Sequence, residues 1–450
     1  MRGRHSGGRA PRSRLPLVLG LVLLLGFGLL LAWPTISGSG ASGESTRSAE
    51  PTHDAARTPE EPSETSEPSV DRDEVLSWGP TVGELADAQA LVKTWTPEQL
   101  AGQVIVGRYA GSDPSIPAQL VEDLHLAGVS VTNGNVVDDA QVRATTVAVS
   151  AAMKADGRDF PAVLGVDQEG GSVEHLRGIA TVFPAYVYAG AGVARDREAG
   201  AKIVDRAAFT TGLELRDFGF TWVFAPVGDV TIGDADVTIG TRSPSEDPEV
   251  AAATVAASVE GFNRAGIVST TKHFPGHGQV TADSHEQLPV LESSLQEIRD
   301  HDLPPFEAAI AAKAPSIMTA HVDVEAIAPG RAGSMDERMY DFLRDDLGFE
   351  GVTITDSLGM GGALSEPFPA VNALNAGADL LLMPVDTAQT HRTLTAAIKD
   401  GRVTRERVEE AAAKVIAVQR WQARIARSTP VPDDVTEQAQ AAAQALTVGP

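Results

Sequence analysis

Val104-Ile105-Val106-Gly107-Arg108 runs directly into Tyr109-Ala110-Gly111-Ser112-Asp113-Pro114. The first five residues form a short apolar, β-branched run of the kind that makes a buried strand. An open, doubly wound sheet places a glycine-rich phosphate turn after its first strand. This turn has no such pattern, which argues against the open sheet. Outward from it, seven more such runs recur: Gly128–Thr132, Ala162–Val166, Trp222–Pro226, Val268–Lys272, Ser316–Ala320, Gly351–Thr355 and Asp379–Met383. Between and after them lie Ala-rich stretches with helical spacing, among them Asp139–Ala155, Glu198–Asp217, Pro248–Ala265, Leu295–Lys313 and Thr387–Asp400. Eight strands alternating with helices predict an α/β fold, a single closed (β/α)8 TIM barrel.

The barrel domain is expected over residues 81–427, with 428–450 as a C-terminal tail. The chain before it has a different texture. Residues 1–14 carry Arg2, Arg4, Arg9, Arg12 and Arg14, and no acidic residue occurs before Glu44. Residues 15–33 are almost wholly apolar, a length that as a helix nearly matches a bilayer core. With basic residues in front, this run reads as a transmembrane anchor, favoured over a cleaved signal peptide, with the remainder outside the cytoplasm. Residues 34–80 are rich in Ser, Pro, Thr and Glu, and read as a disordered acidic linker. The expected location is extracytoplasmic, membrane-anchored or secreted, with the membrane met only through the anchor.

Composition removes several classes of function. The formal net charge of −25 excludes a basic stripe for nucleic acid. No cysteine is present, which removes disulfides, thiolate nucleophiles and thiolate zinc sites.

In such barrels catalytic groups stand at the C-terminal ends of strands, and polar residues cluster there. Asp167-Gln168-Glu169 follows the third run, Asp229 the fourth, Lys272-His273 closes the fifth, His321 follows the sixth and Asp356 the seventh. Lys272-His273-Phe274-Pro275-Gly276-His277-Gly278, followed by Asp283-Ser284-His285, is the richest segment. Its glycines permit a tight loop near a ligand. Lys272 and His273 can donate to sugar hydroxyls, and Asp283 lies close enough to orient the His285 imidazole. Asp356, directly after an apolar strand, is either a helix cap or a catalytic carboxylate. Arg242 sits in the Gly/Pro-punctuated loop Gly240-Thr241-Arg242-Ser243-Pro244, placed to meet a substrate acyl oxygen.

These segments resemble glycoside hydrolase family 3, specifically its single-domain bacterial β-N-acetylglucosaminidases of cell-wall turnover. The resemblance spans roughly residues 91–422. Its anchors are Thr96–Gln103, Asp167-Gln168-Glu169-Gly170-Gly171, Phe224–Val227, Arg242-Ser243, Lys272–Gly278 with Asp283-Ser284-His285, Leu347-Gly348-Phe349, Thr355-Asp356-Ser357 and Ala376–Asp379. It implies a retaining β-N-acetylhexosaminidase that acts on terminal β-linked N-acetylglucosamine, from peptidoglycan fragments or related glycans. Asp356 is implied as the nucleophile, and His285 with Asp283 as an acid/base dyad in place of the more usual carboxylate. Asp167, Arg242, Lys272 and His273 are implied as sugar-binding residues. No cofactor and no metal is expected, and the chain is expected to be a monomer.

One departure stands out. The family follows Glu-Gly-Gly with an arginine and, three residues later, a second one. Here Ser172 and His175 occupy those positions, with Arg177 nearby as a candidate replacement. The alternatives are a β-glucosidase or glycoside phosphorylase using the same residues, a metal-dependent barrel hydrolase built on His273, His277, His285 and Asp356, and a non-catalytic glycan-binding relative.

Overall fold

The structure, a computed structural model, describes residues 71–450. The expected basic flank, the anchor and most of the linker lie outside the described residues. No helix among the described residues is long and apolar enough to cross a membrane.

Eight parallel strands form the centre: β1 Ile105–Gly107, β2 Gly128–Val131, β3 Val163–Val166, β4 Trp222–Val223, β5 Val268–Phe274, β6 Ser316–Thr319, β7 Val352–Thr355 and β8 Leu381–Leu382. Each lies in one of the eight predicted runs, with β5 extending past its run to Phe274. Strands β1 to β7 pair in sequence order, and β8 returns beside β1. Between β7 and β8 the pairing is reduced to the bridge Ile354–Leu380 with flanking bonds such as Thr355 N–H to the Leu380 carbonyl at 3.0 Å. The result is a nearly closed, TIM-like barrel. Its strands are buried along their whole length, as expected of strands covered on both faces.

The helices between strands behave as their sequences predict, with one break. The stretch Leu295–Lys313 is two helices, Leu295–His301 and Pro304–Ala311. Pro304 and Pro305 cannot continue the first helix, and both suit the opening turn of the second.

The barrel has a floor. Helix Arg405–Ser428 lies across the N-terminal ends of the strands and bonds to the residues just before them. Arg407 reaches the carboxylate of Asp379, ahead of β8, at 2.9 Å. Gln419 donates to the Pro161 carbonyl, ahead of β3, at 2.8 Å and accepts from Gln103, ahead of β1, at 2.9 Å. Gln422 donates to the Gly266 carbonyl, ahead of β5, at 2.8 Å. These polar groups are buried, so each bond prevents a desolvation penalty as well as fixing the floor.

One domain bound needs correction, and the C-terminal tail gains a description. The expected linker ran to residue 80, but 71–80 belong to the folded body. Trp78 is buried, the Leu76 N–H donates to the Pro80 carbonyl at 2.8 Å, and Gly79 packs on the indole of Trp421 in the floor helix. Acidic and Pro-flanked composition masked a segment held by Trp78, by the Val75–Thr81 bridge and by the Ser77 hydroxyl on Glu350. The expected tail 428–450 contains helix Val435–Val448, which buries Val435, Ala439, Ala442 and Ala443. Small alanines at helical spacing let it lie close against its neighbours.

Candidate active site

The loops at the C-terminal ends of the strands enclose a cleft with about 1170 Å³ of open space. Asp356, His285, Asp167, Arg242, Lys272 and His273 all line it, and Asp283 stands behind His285. Residues from the ends of strands three, five and seven and from two separate loops thus meet in one place.

Asp356 follows β7, and its backbone is held by the Thr319 carbonyl at 3.0 Å. The Ser357 N–H donates to its Oδ1 at 2.6 Å. Burial alone would raise this carboxyl. The His273 and His321 rings, the Ser357 N–H and the Lys272 ammonium outweigh burial and hold it at about 2. A carboxylate ionised at every working pH can serve as a nucleophile and cannot be a proton donor.

His321 supports that arrangement. Its Nε2–H donates to the Ser357 carbonyl at 3.0 Å, which leaves Nδ1 to accept from the Ser334 hydroxyl at 2.6 Å. Burial pushes its pKa down, against the pull of the Asp356 carboxylate and the Ser357 carbonyl.

The sugar-binding candidates form one charge network. Both oxygens of Glu169 accept from Arg242, at 2.8 and 2.9 Å. Lys272 meets Glu169 at 2.6 Å and also Asp167. Glu169 is buried, which would raise its carboxyl, but Lys272 and Arg242 hold it far below the ordinary range. Two cations shared by two carboxylates set the donors rigidly before any ligand arrives.

Asp229 fixes the next loop. This carboxylate is completely buried and accepts from the His273 N–H at 3.1 Å, the His277 N–H at 2.7 Å and the His273 ring Nδ1 at 2.7 Å. Burial opposes its ionisation, and His273 with His277 and their N–H groups more than compensate. With Nδ1 committed, His273 presents Nε2 as its remaining ring nitrogen. Asp229 follows a strand in the sequence, but its role depends on where the end of β5, 44 residues later, and the loop after it arrive. No local pattern reports that.

The acid/base candidate is more open. His285 Nδ1 stands 2.7 Å from Asp283 Oδ1, which also accepts the His285 N–H at 2.9 Å. Burial would raise the Asp283 carboxyl, but its bonds to His285 bring it below the ordinary value. An ionised Asp283 places the proton on Nδ1 and leaves Nε2 to exchange protons with a substrate. The loop is anchored at its middle residue: His277 Nε2 lies 2.8 Å from the Ser284 hydroxyl. It is anchored again from the loop after Asp356, where Gly362 N–H donates to the Ser284 carbonyl at 3.0 Å and Gly361 N–H to the His285 carbonyl at 2.9 Å. At Gly361 this approach leaves no room for a side chain, because a Cβ would sit 2.4 Å from the Glu286 carbonyl oxygen.

The substituted positions are separated. His175 lines the cleft 3.8 Å from Asp167, and burial lowers its pKa. Ser172 is exposed and does not line the cleft. Arg177 does not replace an arginine there: it bonds to the Gly171 carbonyl and lies 3.4 Å from Glu174, away from the cleft lining. Among the described residues no group of three or more His, Asp or Glu side chains could hold a metal ion.

Comparison with known proteins places this geometry. Residues 100–418 match the glycosyl hydrolase family 3 N terminal domain. The chain is 38% identical over 261 residues to a beta-hexosaminidase of Stenotrophomonas maltophilia, covering 57% of this chain and 76% of the relative. It is 37% identical over 266 residues to a beta-hexosaminidase of Xylella fastidiosa, with 58% and 77% coverage. Among solved structures it resembles a family 3 beta-N-acetylglucosaminidase from Paenibacillus, with a TM-score of 0.70, 29% identity, and 78% of this chain and 68% of that one covered. A beta-glucoside phosphorylase shares the fold at a TM-score of 0.72 with 19% identity.

Proposed function

The chain belongs to glycosyl hydrolase family 3 and is a glycoside hydrolase; on that basis we propose that it is a retaining β-N-acetylhexosaminidase that removes terminal β-linked N-acetylglucosamine. The observation that carries the reading is an ionised carboxylate, Asp356, facing the same cleft as a histidine whose ring is oriented by a carboxylate.

In the first half-reaction Asp356 attacks the anomeric carbon. The bond to the leaving oxygen breaks as His285 gives that oxygen the proton on Nε2, and Asp283 stabilises the imidazolium that supplies it. In the second, Nε2 takes a proton from water, the oxygen attacks the anomeric carbon from the face the leaving group vacated, and Asp356 is released as carboxylate. Two inversions give net retention. Asp167, Arg242, Lys272 and His273 hold the sugar. Glu169 is unsuited to the acid/base role, because its two oxygens are committed to Arg242 and Lys272.

Peptidoglycan fragments and related glycans are the proposed substrates. The basic and apolar sequence of residues 1–33 supports an extracytoplasmic setting, tethered to the membrane or secreted. The test is a panel of chromogenic β-glycosides with and without inorganic phosphate. Turnover of N-acetylglucosaminide well above glucoside, with no phosphate requirement, is expected. Preference for glucoside, or turnover only with phosphate, would overturn the reading.

A further inference from the structure

Helix Val435–Val448 lies beyond residues 100–418, the span that the family match covers. Its buried face, Ala439, Ala442 and Ala443, packs in one cluster with Ala207 of helix Arg197–Asp217 and with Phe183. Phe183 alone in that cluster comes from the chain that follows β3 toward the cleft.

Backbone joins Phe183 to the sugar-binding network. Its carbonyl accepts the Gly171 N–H at 3.0 Å, and its own N–H donates to Glu174 at 2.8 Å. Both partners belong to a small hairpin in which Gln168–Gly170 pairs with Val173–Glu174. Glu169, which holds both Arg242 and Lys272, stands in the first arm of that hairpin. The approach leaves no room for side chains. A Cβ on Gly170 would sit 2.5 Å from the Pro184 carbonyl oxygen, and one on Gly171 would sit 2.7 Å from the Ala185 Cα. Residues 183–185 therefore back the hairpin directly.

Behind Glu169 the packing is incomplete. Glu169, Phe183, Pro184 and Leu446 line one mostly apolar hollow. A side chain that faces a void has no contacts on that side, so Phe183 depends on those it keeps. The alanine face of helix Val435–Val448 supplies them. Thr181, two residues earlier, is fixed independently, because its N–H and hydroxyl donate to Glu214 at 3.0 and 2.8 Å. The chain around Phe183 thus stays anchored without the helix, and the helix governs where Phe183 itself rests.

We infer that helix Val435–Val448 is a positioning element for the sugar-binding charges, with Ala439 and Leu446 acting through Phe183 on Glu169, and so on Arg242 and Lys272. This rests on the assignment of Arg242 and Lys272 as sugar ligands. Asp356 and His285 are held from elsewhere, by bonds to Thr319 and to Gly361. The helix therefore acts on binding and leaves the chemical step alone.

The test measures kcat and KM on a chromogenic β-N-acetylglucosaminide, together with competitive inhibition by N-acetylglucosamine. Ala439 is completely buried, so Ala439→Glu drives a charge into its contact while keeping a good helix former. It is expected to raise KM roughly tenfold and to weaken inhibition to match, the scale of one charged hydrogen bond, with kcat nearly unchanged. Leu446→Ala should shift both in the same direction by less, and Ala439→Ser should leave them near wild type. Trp78→Ala removes a buried side chain at the floor of the barrel and supplies a destabilised chain for comparison, expected to keep the wild-type KM. Unchanged KM and inhibition in folded Ala439→Glu would overturn the inference, as would an equal rise in Trp78→Ala or a fall in kcat alone. Should Ala439→Glu fail to fold, unchanged values in Leu446→Ala would overturn it. A wild-type enzyme that neither cleaves the glycoside nor binds N-acetylglucosamine would instead overturn the sugar assignment itself.

Discussion

The N–H of Gly361 donates to the carbonyl of His285 at 2.9 Å, so the turn after Asp356 carries the loop that bears its proposed partner. Nucleophile and acid/base are thereby registered to each other through one short piece of backbone. Gly361→Val is expected to displace that loop, because a Cβ there meets the Glu286 carbonyl oxygen at 2.4 Å. Misplacement of a catalytic group by about 1 Å costs on the order of 10²-fold in rate. Steady-state kinetics on a poor leaving group should show a loss of that size with a native circular dichroism spectrum; unchanged kcat would refute the coupling.

Asp356→Asn and Asp356→Ala are expected to reduce turnover by roughly 10⁴-fold or more, the scale seen when a covalent nucleophile is removed. The pH dependence carries a sign. The folded carboxyl lies at about 2, below its ordinary 3.8. A depressed carboxyl contributes stability that is complete above the ordinary value and is lost as pH falls through the folded one. Wild type should therefore lose stability between about pH 4 and pH 2 more steeply than Asp356→Asn, as read by thermal melts across that window. A folded Asp356→Ala enzyme with near-native activity would end the nucleophile assignment.

His285→Ala should still be glycosylated by a dinitrophenyl glycoside, whose leaving group hardly needs a proton, and should then stall for want of a base. Azide needs no base and should restore turnover, giving a glycosyl azide of β configuration. Asp283→Ala should be milder, since the imidazole remains but loses its 2.7 Å partner. Product stereochemistry decides the matter: an α-azide, or full activity of His285→Ala on a poor leaving group, moves the role elsewhere.

Asp229 accepts from three donors while fully buried. Asp229→Ala strands those donors, and each buried unpartnered group costs about 1–3 kcal/mol. Urea denaturation should show a loss of about 3 kcal/mol or more, accompanied by weaker substrate binding as His273 loses its orientation. A stability change within experimental error would show that water replaces the carboxylate there.

Trp78 is 3% exposed against the body of the barrel. A chain shortened to begin at Asp71 should be as stable and active as the full one. A chain beginning at Leu85 loses the tryptophan, for which the comparable core deletion costs about 3 kcal/mol. Melting temperatures of the two shortened chains should differ by several degrees, and equal values would return residues 71–80 to the linker.

Short apolar, β-branched runs made the eight strands legible, since a strand buried on both faces has little freedom in composition. Clustering at strand ends likewise assembled Asp356, Lys272, His273 and Asp167. The hidden part was relational. Asp229 was legible as a strand-end carboxylate, but its partners were not: they are two backbone N–H groups and a ring far along the chain. The 71–80 segment reads as tether because a single tryptophan weighs little in a composition dominated by charge and proline. The Pro304-Pro305 break, by contrast, was visible in the sequence, but the continuous apolar pattern around it outweighed the two prolines.

The floor helix gives the molecule two poles. Gly79 packs on Trp421 of that helix, and the Ser77 hydroxyl donates to Glu350, just ahead of β7, at 2.6 Å. The described chain therefore begins at the pole opposite the cleft. A protein gripped near Asp71, whether by a bead or an engineered fusion, would be held at the end of the barrel away from its cleft, and the attachment would leave the mouth unobstructed.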